Sequence, residues 1–376
     1  LNRHLHIVCL DVLWPPDYGG AIDMMNRIIL FKKTGVAIHL HYFMYNERGT
    51  PNELNQYCEK IYIYERKTGS RGLSAKLPYI VASRINDQLA QNLKRDNYPI
   101  LLEGIHCTGV LPQLDCSNRN VVVRMHNDES TYYRELARAE RSFWKKIHFR
   151  NESRMIEKYT RRLPDNPVYA CITKDDAHRL ARTGHLHNVK YLPAFPSWQQ
   201  VNSIEGLGNF CLYHGNLSVA ENEEAAMWLL CNVFSRIKKP FVIAGKNPSK
   251  RLKKMAHLYQ HTCLVANPGD AELNDLIRKA HINILPCFNR NITGMRLKLL
   301  HVLFEGRHCL VNEPMVSGTG LEGACHIATT AGAFASVITQ LYHQPFTSEE
   351  IELRKHLLGD TYNNEKNIRQ LIQYLW

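Results

Sequence analysis

The run Leu5-His6-Ile7-Val8-Cys9-Leu10-Asp11-Val12, then Pro15-Pro16-Asp17-Tyr18-Gly19-Gly20, then Ile22 to Lys33, decides the fold class. Its first part reads as a short apolar strand, its prolines and paired glycines break the pattern, and its last part carries apolar residues at helical spacing. The same succession recurs along the chain. Strands are expected at His6–Val12, Ala37–Phe43, Lys60–Tyr64, Ile100–Glu103, Val121–Met125 and Val168–Ile172, with one long helical stretch from Ser130 to Arg162. Strand alternating with helix is the pattern of a parallel sheet covered by helices. Around Leu192-Pro193-Ala194-Phe195-Pro196 the periodicity stops, and Ser197–Asn209 reads as a linker. A second series follows, with strands at Phe210–His214, Phe241–Ala244, Cys263–Val265, Ile282–Pro286 and Cys309–Val311, and helices at Asn222–Ile237, Ala271–Ala280 and Gly294–Glu305. The expectation is α/β, with two facing, doubly wound, Rossmann-like domains. Ligands then bind in the interdomain cleft, near the carboxyl ends of the strands.

Composition narrows the class. In 376 residues, 44% hydrophobic and 22% charged is the make-up of a folded globular chain, which excludes disorder and collagen-like repeats. The longest apolar runs are far shorter than the roughly 20 residues that span a bilayer. With no apolar leader ahead of the first strand, the expected location is cytoplasmic. Eleven scattered cysteines without a Cys-x-x-Cys pair suggest reduced, mostly buried side chains rather than disulfides or zinc. A net charge of +12 favours acidic partners: nucleic acid, anionic lipid or phosphorylated small molecules. No aromatic-basic nucleic-acid module is present, so nucleic acid is not an expected partner.

Three short segments carry candidate chemistry. Gly19-Gly20 lets backbone amides approach a ligand at the start of a helix, a phosphate or acceptor loop or equally a simple tight turn. Arg124-Met125-His126-Asn127-Asp128-Glu129 is a polar cluster at the end of an apolar strand. There His126 can donate to a sugar hydroxyl, or the cluster is an ordinary capped loop. Asn291-Ile292-Thr293-Gly294-Met295-Arg296-Leu297-Lys298 combines a glycine at an expected helix start with two cations. These can neutralise a diphosphate, although residues two apart do not share one helix face. Lys246 is another cation at a strand end, and Ser317–Gly323 is a glycine-rich loop. The basic stretch from Arg141 to Arg162, with Phe143, Trp144, Ile147 and Tyr159 interleaved, is either a solvated helix face or a surface for an anionic membrane.

Taken in order, these segments resemble the GT-B glycosyltransferases, most closely the retaining family four. The resemblance runs through Gly19-Gly20, Arg124-x-His126-Asn127, Tyr213-His214-Gly215-Asn216, Val242-Ile243-Ala244-Gly245, Glu272-Leu273 and Gly294-Met295-Arg296-Leu297-Lys298-Leu299-Leu300, and covers nearly the whole chain. It implies an acceptor-side domain over residues 1–197 and a donor-nucleotide domain over 205–358, with a terminal helix at about 360–376 that packs back on the first. It also implies a hexosyl, even mannosyl, transfer to a glycan or lipid-linked acceptor in surface polysaccharide assembly, and peripheral contact with the inner face of a membrane. The donor is a UDP- or GDP-sugar, a substrate, and no cofactor is expected.

By the same resemblance His126, Lys298 and Arg296 are the catalytic candidates. Gly19, Gly20, Gly215, Lys246, Thr293, Gly294, Met295 and His301 are the donor and phosphate candidates, and residues 267–273 lie near the base. No Asp-x-Asp pair is present to bridge a metal, so metal-independent transfer is expected, with the departing phosphate stabilised by cations and amides. The family's two glutamates, with seven residues between them, fall on Thr293 and His301, neither of them acidic. That departure keeps open a non-catalytic binding homologue and, as a rival enzyme, a sugar-nucleotide epimerase.

Overall fold

The computed structural model describes residues 3–16, 18–44, 51–140, 142–288, 294 and 296–376. The chain divides into two compact units. One comprises residues 1–197 and 362–376 with the short stretch at Gly294, and the other holds the remainder.

The first unit is built on a seven-stranded sheet in the order β3-β2-β1-β4-β5-β6-β7. Its strands are β1 (His4–Cys9), β2 (Ala37–Met44), β3 (Lys60–Glu65), β4 (Ile100–Glu103), β5 (Val121–Met125), β6 (Val168–Cys171) and β7 (Val189–Tyr191). Every pairing is parallel, with His6 opposite His39 and Leu102 opposite Val123. Successive side chains of a strand point to opposite faces, so Ile7, Leu101 and Val122 join one core and Val8, Leu102 and Val123 the other. The first core also contains Met24, Ile28 and Phe31 of the Gly19–Lys33 helix and Ile368, Leu371 and Leu375 of the Asn364–Leu375 helix.

The second unit carries a six-stranded sheet, β10-β9-β8-β11-β12-β13, also parallel throughout. Its strands are β8 (Cys211–Asn216), β9 (Phe241–Lys246), β10 (Thr262–Ala266), β11 (Ile282–Leu285), β12 (His308–Val311) and β13 (His326–Ile327). Its core packs Tyr213, Phe234, Phe241, Ile243 and Ile284 with Phe334 and Ile338.

The structure revises some sequence expectations. The stretch from Ser130 to Arg162 is two helices, Glu129–Ala139 and Phe143–Thr160, because Glu140 adopts an extended backbone between them. The Ser153 hydroxyl donates to the Ser130 carbonyl at 2.8 Å and ties the two helices together. The helix expected from Asn222 to Ile237 begins at Ala220 and passes at Leu229 into π-type turns that end at Phe234. Among the described residues no helix is long and apolar enough to cross a membrane.

Candidate functional site

In the first unit, the carboxyl ends of β4 and β5 place Glu103 and His126 side by side, with His126 Nε2 2.8 Å from Glu103 Oε2. Arg27 donates to the same oxygen at 2.6 Å and also pairs with Asp23, one helical turn before it. Asp23 accepts the Phe195 N–H at 2.7 Å, and Arg124 donates to the Pro193 carbonyl at 2.8 Å. All five side chains are buried. Burial alone would raise Asp23, but the charges of Arg27 and Arg124 outweigh it and hold the carboxyl at about 2. The same contest leaves Glu103 below the usual carboxylate range, through Arg27 and the bond from His126. With Nε2 committed to Glu103, the imidazole keeps Nδ1 for another partner. That atom lies 3.8 Å from Asp23 Oδ2, beyond hydrogen-bond reach, and is buried without a partner among the described residues.

Gly19 and Gly20 form the first turn of the helix that carries Asp23 and Arg27, rather than a loop before it. That turn contains no acidic side chain, so its amides present positive charge at the helix start. Beyond His126, a cavity of about 200 Å³ is lined by Asn127, Asp128, Glu129, Arg134, Asp176 and Arg179, among others. It is smaller than the roughly 300–1,000 Å³ of sites that enclose a drug-sized ligand. Burial pushes Glu129 up to about 7, against the stabilising N–H donated by Asn127 at 3.0 Å.

In the second unit, a second constellation forms where β8 ends. Gly215 leaves room for Asn222, which a side chain at 215 would meet at 3.2 Å. Asn222 donates to the Asn216 carbonyl at 2.9 Å and accepts from Lys298 Nζ at 3.0 Å. Burial draws the Lys298 ammonium below the usual lysine range. One turn later His301 stacks on Trp198, with centroids 4.3 Å apart, and its Nε2 lies 2.9 Å from Asn274 Oδ1. Burial lowers His301 to about 4, so the neutral ring donates from Nε2 and keeps Nδ1 as its acceptor. His214 stands edge-on to it at 6.0 Å, and its buried Nε2 has no partner among the described residues. Lys246, exposed at the end of β9, pairs in register with Asn216.

Comparison with family models finds no match. A protein of Klebsiella pneumoniae described as an uncharacterized 44.6 kDa protein in the cps region is 25% identical over 332 residues, 84% of each chain. Among solved structures, sucrose-phosphate synthase from Thermosynechococcus elongatus aligns over 99% of this chain and 98% of its own, with a TM-score of 0.70 at 12% identity. TarM gives a TM-score of 0.69 at 9% identity, over 99% of this chain and 98% of its own. HepE of Anabaena, determined with UDP and glucose, gives 0.64 at 10% over the same shares. The fold is GT-B.

Within this GT-B chain the candidate residues fall into two groups. Gly19, Gly20, His126 and Gly294 belong to the first unit, and Gly215, Lys246, Arg296, Lys298 and His301 to the second. Thr293 and Met295 lie outside the described residues. Gly294 departs from its expected place at a helix start, since the helix runs Leu297–Glu305 and Arg296 caps it. The amide of Gly294, expected to face a phosphate, instead donates to Asp176 Oδ2 at 3.1 Å. Its φ of +75° and a Cβ position 1.9 Å from Asn127 Oδ1 require glycine for packing. Arg296 precedes the helix and donates to the Ser317 carbonyl at 2.8 Å, anchoring the glycine-rich loop. Arg124, expected among groups facing a cleft, is fully buried. Sequence reasoning missed Asp23, Arg27 and Glu103 in the first group. For these the available signal was a pair of opposite charges one turn apart in an apolar helix, and an acid closing an all-apolar strand. It also missed Asn222, Asn274 and Trp198 in the second, which carry no motif.

Proposed function

We propose that this chain is a glycosyltransferase that moves a hexosyl group, with retention, from a UDP- or GDP-sugar to a glycan or lipid-linked acceptor in surface polysaccharide assembly. The observation that carries the reading is the constellation at the end of β8. It sets a half-buried cation, Lys298, on Asn222 beside the unpartnered Nε2 of His214 and the stacked ring of His301. As the bond from the anomeric carbon to phosphate breaks, charge grows on the departing nucleoside diphosphate. A fixed ammonium in a poorly solvated site then stabilises that charge more in the transition state than in the ground state. His126, braced by Glu103, is assigned to the reacting sugar, and the adjoining cavity to the acceptor. Phe143 and Trp144, 67% and 77% exposed beside Lys145 and Arg150, are assigned to the surface of an anionic membrane. The cps-region setting of the Klebsiella relative supports the polysaccharide role.

The test is a thermal-shift screen of nucleotides and nucleotide sugars, followed by transfer and donor-hydrolysis assays on the stabilising donor with no divalent ion added. Ligands that bind the folded state raise its apparent stability. Lys298→Ala is expected to lower turnover by roughly 100-fold or more, the scale of losing one transition-state donor. Turnover equal to wild type would refute the assignment. The replacement of a family carboxylate by His301 favours a second reading, a binding homologue without catalysis, which predicts nucleotide stabilisation with neither hydrolysis nor transfer.

A further inference from the structure

At the β13 edge of the second sheet, His308 opens β12 and His326 opens β13, while Glu350 sits in the first turn of the Ser348–Thr361 helix. Among the described residues, these three bring one ligand atom each to within 4.8 Å of the others. His308 Nδ1 is 3.2 Å from Glu350 Oε1 and 3.3 Å from His326 Nε2, and His326 Nε2 is 3.9 Å from the same Glu350 oxygen. Around a tetrahedral ion with bonds of about 2.0–2.1 Å, ligand atoms stand about 3.3 Å apart. Two of the three separations match an edge of such a tetrahedron, and the third, 3.9 Å, is longer.

Outer contacts orient two of the three groups. His308 Nε2 faces the Gln344 carbonyl at 3.1 Å, an acceptor only, so this nitrogen donates there and Nδ1 is the atom turned to Glu350 and His326. A backbone carbonyl on the far nitrogen is the usual support of a metal-bound histidine. Glu350 Oε2 accepts the Thr347 N–H at 3.0 Å in a capping box, which leaves Oε1 for the histidines. Glu350 Oε1 and the two inward-facing ring nitrogens lie close enough together for one cation to take all three as ligands. Arg354 is the opposing charge, and its guanidinium turns to the carbonyls of Gly306 and Arg307.

We propose that His308, His326 and Glu350 form a divalent-metal site of zinc type that clips the Ser348–Thr361 helix to the sheet. Two imidazoles and one carboxylate suit zinc over magnesium or calcium, which prefer oxygen ligands throughout. His326 and Glu350 are about one-third exposed, which gives the ion an entry path and water a fourth position. The strands are parallel and the ligands stand at their amino ends, so the site is structural and separate from the group at the carboxyl end of β8.

The test uses the whole protein, stripped of metal and kept reduced. Titration with zinc is expected to show one tight equivalent and a rising melting temperature, and cobalt a visible band of tetrahedral intensity. His326→Gln and Glu350→Gln, the latter retaining a capping oxygen, are each expected to weaken zinc binding by roughly tenfold or more. Circular dichroism checks that both fold, and the cobalt band reads the wild-type chain independently. Wild-type protein that neither binds zinc nor gains stability from it would overturn the site and leave a His308–Glu350 ion pair. Zinc affinity unchanged in both variants would place the binding elsewhere and overturn it equally.

Discussion

His126 illustrates what a residue can and cannot disclose from sequence. Its position at the end of an apolar strand was legible, but its bond to Glu103 was not, because the partners lie 23 residues apart and meet only when β4 and β5 pair. Glu103→Gln would leave Arg27 buried with one counter-charge fewer, and such breaks cost about 3–5 kcal/mol. Denaturant unfolding checks that value. Glu129 gives a prediction of opposite kind. Its unfolded value is near 4.5 and its folded value about 7, so between them the unfolded chain has already released the proton that the fold retains. Stability therefore falls as pH rises from about 4.5 to 7. Glu129→Gln should match wild type at pH 4 and exceed it at pH 8 by about 1–3 kcal/mol, and equal melting at both pH values would show that the carboxyl is solvated. His301→Glu offers a ribose diol two acceptors where a neutral ring has one. It is expected to keep or improve nucleoside diphosphate binding, by at most about 1–3 kcal/mol. Calorimetry that finds a folded variant binding every such nucleotide more weakly counts against a ribose contact.

Between strands, the first sheet contains a chain of side chains that no single motif announces. Asn92 donates to Tyr64, Tyr64 to His41 Nδ1, His41 Nε2 to His6 Nδ1, and His6 Nε2 to Asp96, at 2.8–3.0 Å. Every link is satisfied with both rings neutral. Although His6 contacts a carboxylate, burial outweighs that attraction and lowers it to about 4, and burial also holds His41 well below the usual histidine value. As pH falls from about 6.5 towards 4, the unfolded chain takes up protons that the folded rings refuse, and stability drops by about 1.4 kcal/mol per pH unit for each. His41→Gln is expected to be less stable at pH 8 but to flatten that slope by about one proton. An unchanged slope would show that His41 is already charged in the fold. The motif Val242–Gly245 has an element-scale explanation: a Cβ at Gly245 would lie 2.0 Å from the Gly215 carbonyl of the neighbouring strand. Gly245→Ala should cost about 1–3 kcal/mol by overpacking. Strands of four residues or more were legible from apolar runs. β7 and β13, three and two residues long, are too short for any periodicity to register. The break after Ala139 lacks a proline or glycine to mark it.

For the whole molecule, the alternation of strand and helix made the fold class readable, because a parallel sheet has to be covered by the helices between its strands. The surface was less readable, since the same basic, aromatic stretch suits water or lipid. Phe143→Ser with Trp144→Ser separates the two. Wild type is expected to sediment with phosphatidylglycerol vesicles at low salt and to lose them as salt rises, and the double variant to stay in solution. Equal sedimentation of the two would remove these aromatics from the interface. The Asn364–Leu375 helix gives the whole-chain consequence. It buries Ile368, Leu371 and Leu375 against a sheet finished at Tyr191, and Asn364 donates to the Pro196 carbonyl. Deleting residues 362–376 should therefore aggregate the first unit rather than merely shorten it. The same order holds on the ribosome. The sheet emerges first, the entire second unit is translated next, and only then does the covering helix arrive. At about 5–20 residues per second that delay is on the order of ten seconds. Throughout it the part of this apolar face that the Gly19–Lys33 helix leaves uncovered lies bare, which makes this interval the one in which a holding chaperone would decide the yield of folded protein.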